Sequence, residues 1–146
     1  MAVVRDELEA CHRLYRRGVL LQMESGDLVA RGFADVGVEE FYLLPDRRVL
    51  SLTTGEKTDL VSDDRSAFFL IPSVDDIVLE IERHGGSVEQ IARAHDGSGW
   101  CVTVAHRQGE RGTVEAASLF RAMLRALGLL VGIDPFREGE FRLRLG

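Results

Sequence analysis

Lysine is almost absent from this chain. Of its 18 basic residues 17 are arginine, and Lys57 stands alone. A GC-rich coding sequence is the simplest cause, which points to a bacterium or its phage and says nothing about chemistry. Only two cysteines occur, Cys11 and Cys101, too few for a disulfide framework. Each lies in an apolar-periodic segment and reads as a buried free thiol, with a disulfide neither needed nor excluded. No apolar run approaches the 18 or so residues that cross a bilayer, and the first residues, MAVVRDELEA, read as a helix start with no basic-then-apolar leader. A cytoplasmic protein without membrane contact is the expectation. Excess positive charge is lacking too. The net charge of −6 argues against a general nucleic-acid binder, which would turn a basic face to phosphates.

What is present is ordinary for a folded domain. The hydrophobic content of 45% and charged content of 29% suit a globular chain, and 146 residues suit one domain. The best-defined stretch is 113–127, TVEAASLFRAMLRAL. At 100° per residue its polar side chains, Glu115, Ser118, Arg121 and Arg125, fall within an arc of about 120°. The rest of that surface is Val114, Leu119, Phe120, Met123, Leu124, Leu127 and alanines. A helix this apolar needs cover on most of its circumference, by a sheet and by something more. Gly128 should stop it, with Leu129, Leu130, Val131 and Ile133 continuing the apolar surface. Phe120, Leu124, Leu127, Leu130 and Ile133 are therefore the candidate interface, for self-association or for another protein.

Along the chain, residues 3–17 place Val4, Leu8, Cys11 and Tyr15 on one helical stripe, closed by Gly18. Residues 19–24 and 28–33 flank Ser25-Gly26-Asp27 and predict a β-hairpin. Strands are expected at 41–44 and 49–53 around a Pro45-Asp46-Arg47 turn, and Gly55-Glu56-Lys57 turns the chain into Leu60-Val61. FFLI at 68–71 is a run suited to a strand covered on both faces. Ser73 with Asp75 and Asp76 predicts a capped helix start. That helix buries Val74, Ile77, Val78 and Ile81, turns Glu80 outward and stops at Gly85-Gly86.

Residues 87–106 read as a hairpin about a loop at 96–99, with Ile91 opposite Val104 and Arg93 opposite Val102. Ser87 and Gln90 are also spaced as a capping box, so a helix over SVEQIARAH stays open. Phe141, Leu143 and Leu145, alternating with Arg142 and Arg144, predict a terminal strand with one wet face. The fold class expected is α+β: an N-terminal helix, a largely antiparallel sheet and two further helices packed on it.

From Phe68 to Leu127 the order is helix, strand, strand, helix, with FFLIPSVDDIVLEI, GWCVTV and GTVEAASLFRAMLRALG as landmarks. This resembles the small phage and prophage proteins described as an α-β-α sandwich, where a proline-led helix, a Trp-bearing strand and an alanine-rich helix recur. The resemblance covers about sixty residues and implies a fold and a genomic origin. It implies no catalytic residues.

Motifs that carry chemistry are sparse. His84-Gly85-Gly86 resembles an esterase oxyanion stretch, but a G-x-S-x-G elbow is missing and a helix stop explains it. Cys11, His12, His84, His95, Cys101 and His106 supply metal-ligand types without ligand spacing, so neither metal nor cofactor is expected. Glu56, Asp59, Asp63, Asp64, Asp75 and Asp76 form the densest acidic region. They carry the alternative reading, a metal-dependent enzyme acting on nucleic acid through residues 56–76. Residues 109–113 lead into the expected helix and offer N–H groups to an anion, without the P-loop spacing. DNA reading through residues 87–107 requires SVEQIARAH to be helical. The favoured reading is a small bacterial or phage-derived binding protein acting through protein contacts, without catalysis.

Overall fold

The computed structural model describes residues 5–33, 37–60 and 68–137. The chain divides into two compact units, Met1–Pro72 and Ser73–Gly146. The fold is α+β; the described residues form three helices and two sheets, whose strand pairs are antiparallel.

In the first unit α1 spans Arg5–Arg16, with Asp6 and Glu7 at its positive end and Arg13 and Arg16 at its negative end. It buries Leu8, Cys11 and Leu14; Tyr15, expected on that stripe, is only half-buried. Val4 lies outside the described residues. The strands are β1 (Leu28–Phe33), β2 (Gly37–Leu43), β3 (Arg48–Ser51), β4 (Lys57–Asp59) and β5 (Phe68–Leu70), in the order β4-β3-β2-β1-β5. Val29 and Ala30 are fully buried and, as neighbours in a strand, point to opposite faces. One face carries the cluster of Val29, Phe41, Leu43, Val49 and Phe68, against which Met23 and Leu60 pack. Phe41 and Phe68 meet edge to face at 5.3 Å, with the Arg31 guanidinium 5.4 and 5.1 Å from the two rings. On the other face Phe69 lies 4.9 Å from the His12 ring of α1. FFLI is buried at every position, as expected of a strand covered on both sides.

The hairpin expected between 19–24 and 28–33 does not form. Among the described residues, 19–24 join no strand ladder, and β1 pairs instead with β2 and β5. Leu20 takes a left-handed backbone, φ 61°, which interrupts an extended run, and its side chain is buried. The Ser25-Gly26 turn does form. The Asp27 carboxylate accepts from the Glu24 N–H at 2.7 Å, and the turn is hooked onto the end of β2 by Gly26 N–H to Leu43 O, 2.7 Å.

His12 gives the first unit a pH response. Burial, then the charges of Arg16 and Arg13, lower its pKa below the ordinary 6.5, so the fold favours the neutral ring. The resulting penalty is absent above about pH 6.5 and grows as pH falls below it through the lower folded value. Urea titrations between pH 7.5 and 5 should show this loss, and His12→Gln should flatten it. An unchanged slope in that variant would remove His12 from the account.

In the second unit α2 (Val74–Arg83) starts as expected. Ser73 accepts from the Asp76 N–H, while Asp76 accepts from the Ser73 N–H, a reciprocal capping box. Ile77 and Ile81 are fully buried. Glu80 departs from the expectation: it is 5% exposed, because Arg83 and His84 both bond its carboxylate, at 3.0 and 3.1 Å. Three strands follow, β6 (Gly86–Arg93), β7 (Trp100–His106) and β8 (Arg111–Ala116), in the order β6-β7-β8. Residues 87–93 of SVEQIARAH are therefore strand, and the helical alternative falls. The hairpin register sits two residues from the expected one. Ile91 faces Val102 and Arg93 faces Trp100, with a bulge between Val88 and Gln90. The loop is longer than four residues because Ala94 N–H and Gly99 O close it.

The helix expected over 113–127 is displaced. Residues up to Ala116 form β8, and α3 runs Leu119–Val131, capped by Ser118 through the Arg121 N–H at 3.2 Å. Six residues, RGTVEA, satisfy a two-residue period as well as a helical one, and pairing with β7 decides between them. The helix passes through Gly128 and ends at Gly132, φ 80°. Both helices pack on the same face: α3 on β7, β8 and α2, and α2 on β6. Val102, Val104 and Val114 point into that layer. The strand expected at 141–145 lies outside the described residues.

Candidate interaction surface

The face of the three-stranded sheet away from the helices is open to solvent. Cross-strand register sets out its side chains in three rows: Ala92–Cys101–Glu115, Gln90–Thr103–Thr113, and Ser87–Ala105–Arg111. The small residues of β7 are half-buried, while Arg111, Thr113 and Glu115 of β8 are exposed. The face is cross-linked by polar contacts. Cys101 Sγ donates to Glu115 Oε1 at 3.1 Å, the Thr103 and Thr113 hydroxyls are 2.9 Å apart, and the bulge residue Glu89 grips Arg111 with both carboxylate oxygens at 2.9 Å. On β8 the open face thus carries one cation and one anion, four residues apart.

This arrangement disfavours the Cys101 thiolate. The hydrogen bond to Glu115, then burial, raise the Cys101 pKa, and Cys11 is pushed up to about 12 by burial and by the charge of Glu7. Both cysteines are free. At pH 8 iodoacetamide should modify Cys101 slowly and Cys11 only on unfolding. Glu115→Gln should speed Cys101 labelling several-fold, read by mass spectrometry; an unchanged rate would mean that Glu115 does not control the thiol.

Of the interface residues expected from sequence, Leu124 and Leu127 are fully buried and Ile133 is 8% exposed, so their surface is already used inside the second unit. Phe120 and Leu130 are half-buried and keep some surface. Leu130 lies over the start of β6, where a β-carbon on Gly86 would stand 2.6 Å from its Cδ2. The apolar surface of α3 is thus largely core, because the sheet and α2 both cover it.

Among the described residues Glu56 and Asp59 are exposed, Asp76 is committed to its cap, and no three His, Cys, Asp or Glu side chains approach as ligands would. Asp63 and Asp64 lie outside the described residues. His84 closes α2 and binds Glu80, whereas His106 ends β7 and accepts from the Gln108 N–H at 3.2 Å. A β-carbon on Gly85 would stand 3.2 Å from His106 Nε2 and 3.1 Å from Arg107 Nε. Residues 109–113 turn out to be the β7–β8 connection and the start of β8, closed by His106 N–H to Glu110 O at 2.7 Å. They precede no helix, which removes the anion cradle.

The polar rows of the open face escaped the sequence reading for one reason. Taking 113–127 as continuous helix hid the alternation of Arg111, Thr113 and Glu115, which is the signal that could have found them. Among the described residues no helix is long and apolar enough to cross a membrane. Comparison of the chain with family models, with curated proteins and with solved structures finds no match.

Proposed function

We propose that this chain is a small bacterial or phage-derived binding protein that works through protein contacts and performs no catalysis. The observation that carries the reading is the open side of the three-stranded sheet. Both helices of the second unit lie on one face, and the other is left in solvent with its polar side chains bonded to one another. Such a face is a sheet surface with its donors and acceptors partly satisfied, suited to a protein surface more than to a small substrate. Self-association or a second protein is the partner class, in a cytoplasmic setting.

Native mass spectrometry of the purified protein, with the 260/280 nm ratio, tests it. Metal-free and nucleotide-free protein, as a homo-oligomer or with a bound protein, is the expected outcome. A stoichiometric metal, nucleotide or nucleic acid would overturn the reading in favour of chemistry at residues 56–76.

A further inference from the structure

Resting on that reading, we infer that the outer edge of β8 is where a second copy of this chain pairs, antiparallel and centred on Thr113. Among the described residues the two sheets end in β4, β5, β6 and β8. β4 has three residues, β5 has three buried residues, and β6 carries a bulge that breaks its ladder. β8 is six residues long and regularly paired to β7.

Its backbone is aimed outward at alternate residues. His106 N–H bonds Glu110 O, so this is a hydrogen-bonded pair, and alternation along the ladder makes 104/112, 102/114 and 100/116 the bonded pairs. The N–H and C=O groups of Arg111, Thr113 and Glu115 therefore point away from β7. Arg125 Nη1 reaches the Glu115 carbonyl there at 2.7 Å, which leaves that oxygen one lone pair.

The edge complements itself. An antiparallel two-fold through Thr113 sets Thr113 against its own copy and Arg111 against Glu115 of the other chain, twice. The residues brought together are those whose backbone groups face outward, so the hydrogen bonds match as well as the charges. The bridge to Glu89 uses two of the five Arg111 N–H groups, and Glu115 spends one oxygen on Cys101. The product is a continuous six-stranded sheet, closed by an isologous interface with both copies of α3 on one side.

Sedimentation velocity on the full chain over a concentration series tests this. The native protein should be a reversible dimer. Arg111→Glu and Glu115→Arg should each weaken it by about 10- to 30-fold, since each places like charges opposite one another twice. An equimolar mixture of these two variants should recover a heterodimer, in which both cross-strand pairs are again opposite in sign. Thr113→Pro removes an outward N–H and no bond to β7, so it should give a monomer, weakened by roughly 100-fold, with unchanged circular dichroism. Amide exchange at Arg111, Thr113 and Glu115 should slow as concentration rises.

A dimer unmoved by all three variants overturns the inference. So does protection of those amides at every concentration, because the chain's own residues would then cover the edge. A monomer throughout overturns the edge pairing and leaves protein contact with a different partner intact, whereas a bound metal or nucleic acid in the native spectrum overturns the broader reading itself.

Discussion

Leu124→Ala is expected to destabilise the second unit by about 3–4 kcal/mol, within the range for fully buried leucines. Leu124 has no exposed surface and, like the fully buried Met123, Ala126 and Leu127, belongs to a helix packed against both sheet and α2. Those neighbours are held by a second helix and a sheet, so the void cannot close cheaply and a cavity cost adds to the lost transfer energy. Urea unfolding followed by circular dichroism reads the effect as a fall in midpoint at similar slope. The association state of the folded protein should not change. If the loss were under about 1 kcal/mol and association weakened, Leu124 would return to the interface role that its sequence pattern suggests.

Gly128→Ala should cost about 1–3 kcal/mol, although alanine is the better helix former by about 1 kcal/mol. Gly128 lies inside α3 where the chain folds back over it: Ile133 N–H bonds its carbonyl at 2.9 Å. An added β-carbon would collide with the Ile133 carbonyl oxygen and stand 2.5 Å from Pro135 Cδ. Backbone and a proline ring cannot swing aside as a flexible side chain would, so the C-terminal turn has to shift. Thermal unfolding and the amide protection of Ile133 measure this together. A variant as stable as the native protein would show that the return after α3 is loose, and that helix propensity decides at this position.

Much of the architecture was legible before any tertiary contact. The α2 cap, the stripe of Ile77 and Ile81, the buried Phe68–Ile71 run and the Trp100–Val104 strand each depend on residues close in sequence. The misplaced elements are those where two periods fit the same letters. Residues 113–116 alternate acceptably and also extend the apolar arc of the following helix, so local pattern is degenerate until β7 supplies a partner. Residues 19–24 have strand-like composition, yet Leu20 takes a left-handed backbone and the ladder partner of β1 comes from later in the chain. Gly128 is a stop signal by composition and a point of close packing in space.

The same division runs through the functional surface. Sequence alone determined the α+β class, the acidic balance and the amphipathic character of α2 and α3, because composition and short-range periodicity are local properties. Tertiary structure decided which apolar residues have surface left to offer. Leu124 and Leu127 went to the core and Phe120 and Leu130 stayed half-buried, since burial depends on what covers a helix and not on the helix itself. It also decided that Arg111, Thr113 and Glu115 share one face and one edge, because strand parity and sheet order are set by pairing between segments distant along the chain.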